Sequence, residues 1–454
     1  MKKELFSNEI TILRDTFRRL LRRRAKTNII KLIDKTHPAD LALLFRYFNE
    51  NEQDEIFNDL KPSADTAEFL NELDESISIR LLENESPERI AQILEYASSN
   101  EQAYLMGLVD DKYASSVIDL LKAEKQEELE EMMAYPEDSA GILMYTDVFT
   151  LHEDTKAKDA IYALQDQEDA EMVFYLYTLD DDGRLTGVIS LRDLVTTSGD
   201  TMLKDIMSKQ IHVVRPETDQ EEVARIVSQY NFLAVPVVDS DDHLLGIVTV
   251  EDVVDIIREE ATEDFLQMVG AGKDREILLK SSWENARMRV PWLFASWVGG
   301  ILAVFIIGVF DNVLQSTIAL AAFIPVIMGM GGNIGTQSST MIVRGLATGR
   351  VSIENSVKIL FKEIRVGLLL GILYGLLLGL FAIFQFIDAS PMIGIVVGLS
   401  ICISMIIAAT IGSLVPLILN RFEIDPAIAT GPFVTTAIDI IGVAFYFIVA
   451  GVFL

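Results

Sequence analysis

Beyond Arg289 the chain carries five apolar stretches, at about 290–310, 317–342, 359–386, 393–419 and 432–454. Each supplies roughly the 20 apolar residues that a helix needs to cross a hydrocarbon core. Such a run of apolar segments predicts a five-helix bundle in a bilayer, where every backbone polar group must find its partner within the protein. The charge agrees with this division. Residues 291–454 hold 6 Lys plus Arg against 7 Asp plus Glu, which leaves −29 of the net −30 to the first 290 residues. The front half is therefore a strongly acidic soluble body, long enough for two domains. Arg344, Arg350 and Lys358 lie between the second and third stretches, Lys362 and Arg365 stand at the start of the third and Arg421 follows the fourth, whereas the loops around Asp311 and Asp388 contain no Lys or Arg. Positive loops stay in the cytoplasm, so a multi-pass protein of the cell membrane is expected, with its acidic body cytoplasmic and its C-terminus outside.

Residues 1–26 form a basic arm of net +6, with Arg18, Arg19, Arg22, Arg23 and Arg24 set among Phe17, Leu20 and Leu21 in an amphipathic pattern. The arm lacks the apolar core of a signal peptide. It suits anionic lipid or, equally, the acidic body of its own chain. A chain of net −30 repels nucleic acid, and no nucleic-acid partner is expected. The single cysteine, Cys402, precludes an intrachain disulfide.

Over 27–135 a short unit recurs: apolar residues at helical spacing, then a polar break, as in ADLALLFRYF, DTAEFLNEL, SPERIAQILEYA and KYASSVIDLLK. Helices this short are marginal alone, so the pattern predicts a stacked α-solenoid with acidic outer faces. Over 136–257 the texture changes to a duplicated α/β unit. Its copies read MVFYLYTLDDDGRLTGVISLRDLV (172–195) and FLAVPVVDSDDHLLGIVTVEDVV (232–254). In each, the second strand ends as Gly, two apolar residues, Ser or Thr, two residues, Asp. A hydroxyl at a strand end and a carboxylate in the next helical turn can hold a phosphate and a ribose diol, or can cap the helix. The duplication resembles a CBS (cystathionine β-synthase) domain pair. That resemblance implies an adenosine nucleotide such as ATP as a candidate ligand, with Tyr175 and Phe232 flanking the base and Arg192 with Asp193 holding ribose and phosphate. Purely structural copies, with Asp193 and Asp252 as caps, are the alternative.

Acid accumulates around the second copy. Asp219 and Glu221 precede it; then Asp252, Asp255 and Glu259 share one helical face, as do Glu260, Glu263 and Asp264. Like charges at this spacing repel unless something neutralises them, and oxygen ligands without His or Cys suit a hard cation, Mg²⁺ or Ca²⁺. An exposed solubilising face is the plainer reading. Residues 258–289, interrupted by Gly270 and Gly272, should form a helical connector to the first span.

In the membrane half, residues 324–349 read IPVIMGMGGNIGTQSSTMIVRGLATG. Pro325 with Gly329, Gly331, Gly332 and Gly335 suggests a locally unwound second span, or a close helix crossing, and Asn333, Thr336, Gln337, Ser338 and Ser339 add neutral oxygens there. The last span carries a lone carboxylate, Asp439, in GPFVTTAIDIIGVAFYFIVAGVFL. A charge at mid-membrane costs at least roughly 2.5–3.5 kcal/mol and points to a cation in a water-filled path. Asp425 lies fourteen residues earlier, about 21 Å away if the helix is continuous.

GGNIGTQSS followed by IVRGLA, and DPA followed by GPFVTTAID, resemble MgtE-type magnesium channels, and the likeness runs from the helical repeats to the last span. The resemblance implies a multidomain membrane protein: a cytosolic α-solenoid (27–135), an α/β CBS pair (136–257), a connector or plug helix (258–289) and a five-helix pore domain (290–454). It implies a homodimer in membrane lipid with one Mg²⁺ path on the two-fold axis, lined by Asp439, Asn333, Gly332, Thr336, Gln337 and Pro432. It further implies closure by cytosolic Mg²⁺ at Asp219, Glu221, Asp252, Asp255, Glu260, Glu263, Asp264 and Asp425. A divalent-cation carrier with alternating access and a membrane-anchored nucleotide sensor are the competing classes. No enzyme is expected, since the chain has no phosphate-binding GxxxxGKS, no HExxH and no recognisable nucleophile arrangement.

Overall fold

The computed structural model describes residues 2–166, 174–271, 280–352, 355–387, 390–422, 424–429 and 431–454, with side chains from residue 10 onward except that of Ala429. The chain divides into two units, Met1–Ile257 and Arg258–Leu454, and the division falls within the helix Val250–Met268.

The first unit opens with the helix Lys2–Arg22. Phe17 and Leu21 are buried in the core of that unit, Phe17 meets Phe48 edge-on at 5.9 Å, and Arg18 donates to the Tyr47 carbonyl at 2.5 Å. Of the two partners open to the basic arm, it lies against its own acidic body. Each recurring unit then resolves into short helices, among them Pro38–Phe45, Ala64–Asn71, Pro87–Leu94 and Asp111–Ile118, which stack in that order. Their ends are satisfied by a repeated device. The buried Gln53 amide donates to the carbonyls of Phe45 and Phe48 at 2.7 and 3.3 Å, and the buried Gln102 amide donates to those of Leu94 and Ala97 at 2.8 and 2.9 Å. In both cases the side chain reaches back to carbonyls at the C-terminal end of the preceding helix, where Phe45 and Leu94 also accept from the amides of Phe48 and Ala97.

The α/β part holds β1 (Thr150–His152), β2 (Tyr175–Leu179), β3 (Leu185–Ser190), β4 (Ala234–Val238) and β5 (Leu244–Thr249). β1 runs parallel to β2, and β2 and β3 form a hairpin, as do β4 and β5. Val214 bridges Val237 in parallel and stands where β1 stands in the first copy. The duplication extends to register: the same irregularity falls between Thr178 and Leu179 and between Val237 and Val238. Met172 and Val173 of the first copy lie outside the described residues.

The second unit contains the five long apolar helices. They are Ser282–Val309, the turn Ile318–Phe323 continued by Ile324–Ala347, Ser356–Gln385, Met392–Arg421 and Pro432–Phe453. The expected connector falls on the end of Val250–Met268 and on the first turns of Ser282–Val309; residues 272–279 and the loop residue Asp388 lie outside the described residues. The third and fourth helices touch backbone to backbone. Gly367, Gly371, Gly375 and Gly379 recur every four residues, and a Cβ on Gly375 or Gly379 would lie 2.5 or 2.7 Å from the carbonyl oxygen of Gly398 or Gly394. In lipid, where apolar burial does not drive association, such packing and Cα–H···O contacts hold helices together.

The expected unwinding at 329–335 is not found, because Ile324–Ala347 is one uninterrupted helix. Pro325 sits in its first turn, where no helical hydrogen bond is lost. The irregular backbone is instead the 3₁₀ turn Ile318–Phe323, and the Tyr446 hydroxyl donates to its Leu320 carbonyl at 2.8 Å. Non-helical backbone away from water needs such a partner.

Candidate functional site

The second membrane helix has two faces. Ile334, Gly335, Ser338, Ser339, Ile342 and Val343 are buried, while Asn333 and Gln337 are exposed and Gly332 and Thr336 half-buried beside them. The four residues fall at i, i+1, i+4 and i+5, one stripe of the helix. Glycine lets the fifth helix approach the buried face: a Cβ at Gly335 would lie 2.0 Å from Ile438 Cδ1, and one at Gly331 would lie 3.1 Å from Ile438 Cγ2. Ile438 thus anchors the crossing and turns the next residue toward the polar stripe. The Asp439 Oδ1 atom is 3.9 Å from where a Gly332 Cβ would stand. Among the described residues no hydrogen-bond donor or cation pairs with Asp439. Gly332 and Asp439 are therefore brought together, with Asn333, Thr336 and Gln337 on the same helix face as Gly332. Pro432 opens the fifth helix two turns earlier, roughly 10 Å along its axis. The stretch from Asp425 to Asp439 is not one helix: Asp425 precedes a 3₁₀ turn, Pro426–Ala429, and accepts from the Ala427 amide at 2.8 Å.

Near this end of the fifth helix stands the C-terminal end of Val250–Met268. A Cβ at Gly270 would lie 3.3 Å from Pro432 Cδ, and one at Gly431 would lie 3.3 Å from the Met268 carbonyl oxygen. Gly270 has φ +70, a left-handed conformation that costs glycine nothing. Burial pushes the Asp264 carboxyl up to about 6, the neighbouring charges of Asp425 and Glu260 push the same way, and Arg344 opposes them. Asp425, Glu260 and Glu263 thus each act on Asp264, and Glu263 also accepts from the Gln267 amide at 2.9 Å. Because the folded pKa of Asp264 is raised, its contribution to stability is complete below about pH 4 and lost as pH rises through about 6. A divalent cation bound there must displace that proton. Adding Mg²⁺ to the unbuffered protein at pH 6 should release protons, and Asp264→Asn should release fewer; equal release by both would show that Asp264 takes no part.

In the first unit, Asp252 is half-buried and its carboxyl is raised by desolvation, against hydrogen bonds from Thr249. It accepts from the Thr249 amide at 3.2 Å, from the Thr249 hydroxyl, and from Asn100 of the solenoid at 3.3 Å. Asp255 faces the solenoid acids that the sequence left unassigned. The Glu72 carboxyl is raised first by burial and then by Asp255, Glu68 and Glu101. Asp219 caps the helix Gln220–Tyr230, accepting from the Glu221 amide at 2.8 Å. Among the described residues no three acid, His or Cys side chains already converge on a point where one ion could sit.

At the candidate nucleotide cleft, Tyr175 pairs with Ser190 across the β2/β3 ladder, and its hydroxyl accepts from the Leu233 amide at 3.4 Å. Tyr175, Ser190 and the Phe232–Leu233 peptide therefore meet at one end of the duplicated unit. Ser190 accepts from the Asp193 amide at 3.1 Å and donates to its carboxylate at 2.7 Å, the cap geometry, while Arg192 and Asp193 remain exposed. Phe232 does not stand alone: it stacks on Tyr230 at 5.4 Å, and Tyr230 stacks on His212 at 4.1 Å. That trio went unpredicted. So did Glu363, a buried carboxylate in the third membrane helix that accepts from the Ser338 hydroxyl at 3.0 Å; its only sequence signal is an acid inside an apolar run, between Lys362 and Arg365.

Comparison with known proteins places these parts together. Residues 324–449 match the divalent cation transporter family MgtE, 36–138 match the MgtE intracellular N domain, and 140–199 and 203–259 each match the CBS domain. The magnesium transporter MgtE of Bacillus subtilis is 31% identical over 93% of this chain and 93% of its own. That of Thermus thermophilus is 35% identical over 92% of this chain and 94% of its own. A crystal structure of the cytosolic domain of the Mg²⁺ channel MgtE in complex with ATP matches 54% of this chain and 99% of that chain at 33% identity and a TM-score of 0.51. A helical N-terminal domain, a CBS pair and five membrane helices, shared with relatives along nearly their whole length, make this chain a member of the MgtE family of magnesium transporters.

Proposed function

We propose that the protein is a Mg²⁺-selective channel for magnesium uptake, built as a homodimer around one ion path and closed by cytosolic Mg²⁺. One observation carries the path: the stripe of Gly332, Asn333, Thr336 and Gln337 beside Asp439 opens on the surface of a single bundle, with Asn333 and Gln337 exposed. Side-chain amides and a carboxylate facing hydrocarbon are costly, so this face needs water and protein over it. A second copy about a two-fold axis supplies both with the same surface and sets two Asp439 carboxylates across one ion. Mg²⁺ sheds water reluctantly, and two carboxylates with flanking amide and carbonyl oxygens suit the hydrated ion. The magnesium transport named for the relatives supports the cargo and a transporter in place of an enzyme. The unbroken second helix removes one feature that an alternating-access carrier would share. Asn333→Cys in a Cys402→Ala background should yield a covalent dimer with a short bifunctional maleimide in membranes. Phe384→Cys, on an exposed flank of the third helix, should not; equal behaviour of the two would count against the axis.

Gating follows from charge. Residues 27–290 carry a formal −35, and two copies held together repel unless divalent cations screen them. Mg²⁺ at Asp219, Glu221, Asp252, Asp255, Glu260, Glu263, Asp264 and Asp425 would favour a compact, closed arrangement, with Glu72 and Glu101 added from the solenoid side. Loss of Mg²⁺ would release it, a two-state element biased by its ligand. The placement of Gly270 against Pro432 supports the end of Val250–Met268 as the moving stop. The acidic body then lies in the cytoplasm, as the loop charges require. ATP is proposed as a second ligand at Tyr175, Arg192, Asp193 and Phe232, supported by the ATP complex of the related cytosolic domain.

A further inference from the structure

Behind Asp439 the second, fourth and fifth membrane helices meet at one side chain. A Cβ on Gly331 of the second helix would lie 3.0 Å from the Ser404 Oγ atom, and one on Gly442 of the fifth would lie 3.1 Å from the same atom. Ser404 is 2% exposed and its hydroxyl has no hydrogen-bond partner among the described residues. A serine inside a membrane helix ordinarily bonds back to the carbonyl four residues earlier, as Ser413 does to Ala409 at 2.8 Å and Thr410 to Ile406 at 2.7 Å. Ser404 forgoes that bond, and its oxygen points between two glycines. A buried hydroxyl without a conventional partner calls for an explanation. Here the oxygen crowds the place that a Cβ on either glycine would take, so the three residues fit together only while both flanking positions stay without side chains.

The location gives the contact a function. Gly331 adjoins Gly332, the residue nearest Asp439, and Gly442 lies three residues beyond Asp439 on the same helix. We propose that Ser404 is a positioning residue for the ion path: its hydroxyl oxygen, seated between Gly331 and Gly442, sets the separation of the second and fifth helices at the level of Asp439. The inference rests on the reading that Asp439 lines the path. Removing the oxygen lets the two helices close by a fraction of an ångström and alters the space left for a hydrated ion, so selectivity and apparent affinity change before folding does.

The test is Mg²⁺ and Ca²⁺ influx into liposomes bearing the full chain, read by trapped dyes. Ser404→Ala should keep maximal Mg²⁺ flux within about twofold while the half-saturating Mg²⁺ concentration and the Mg²⁺ to Ca²⁺ flux ratio move by about threefold or more. Ser400→Ala removes an equally buried, equally unpartnered hydroxyl one turn away and should move neither. Gly442→Ala should lose about tenfold of its flux, and Ser404→Gly in the same chain should restore most of it by vacating the notch. That exchange decides the matter if Ser404→Ala proves unstable. Unchanged parameters in a folded Ser404→Ala, an equal shift in Ser400→Ala, or no rescue in the exchanged pair would overturn the proposal. No wild-type flux, or full flux in Asp439→Ala, would instead overturn the reading of the path beneath it.

Discussion

Asp439→Ala is expected to abolish Mg²⁺ influx, by at least about a hundredfold, while leaving the protein folded. A carboxylate within a few ångströms of a divalent cation, in surroundings less polar than water, contributes upward of ~3 kcal/mol, and each 1.4 kcal/mol is about tenfold in rate. The fold should not suffer. Asp439 has no partner among the described residues to leave stranded, and alanine is cheaper than aspartate in a membrane helix. Asp439→Asn keeps an oxygen and loses the charge, so it should retain some flux and discriminate poorly between divalent and monovalent cations. Isotope uptake by membrane vesicles, with the amount of folded protein checked by size exclusion, measures both. Wild-type flux in Asp439→Ala would move the selective site elsewhere.

The largest expected effect on stability belongs to Gly412→Val. A Cβ at Gly412 would lie 2.4 Å from the Gly335 carbonyl oxygen and 3.0 Å from Gly335 Cα, so it meets backbone and has no flexible side chain to push aside. The second and fourth helices would have to separate, and overpacking of this kind costs about 1–3 kcal/mol or more even where side chains can yield. Loss of most folded protein in detergent, or a steep fall in melting temperature, is the expected result. Gly300→Ala and Gly329→Ala meet nothing within 4 Å and should behave as wild type. Equal tolerance at Gly412 and Gly300 would contradict the helix crossing.

Much of this architecture is legible in the sequence, and the reasons differ by element. The five membrane helices follow from sustained apolar length, and the duplicated α/β unit from strand alternation interrupted twice by Asp-rich turns. The solenoid was legible as a repeat but not as pairs of helices, because the buried glutamines that close each helix look like ordinary surface residues in one dimension. The glycines of 329–335 were ambiguous in principle: unwinding and close approach call for the same residue, and only the position of Ile438 decides for the second. The four-residue glycine period in the third span, by contrast, has the spacing of a helix-contact stripe and went unpredicted.

The candidate site divides along the same line. Asp439 announces itself as a lone charge in an apolar run. The pairing of Asp264 with Asp425, or of Asp255 with Glu72, joins residues far apart in the chain, and no local pattern encodes it. Residue type alone likewise says nothing of the silent hydroxyl at Ser404, since a serine that bonds back to its own helix reads the same.

The most direct measurement is Mg²⁺ influx through the wild-type protein in liposomes while the concentration of Mg²⁺ facing the acidic body is raised. Brisk flux without a counter-ion is expected when that side is depleted of Mg²⁺, falling toward zero as the ion fills the acidic clusters, with the inhibition weakening when Asp255 and Asp264 are both changed to Asn. Flux that is indifferent to Mg²⁺ on that side, or that demands a counter-ion, would contradict a self-closing channel.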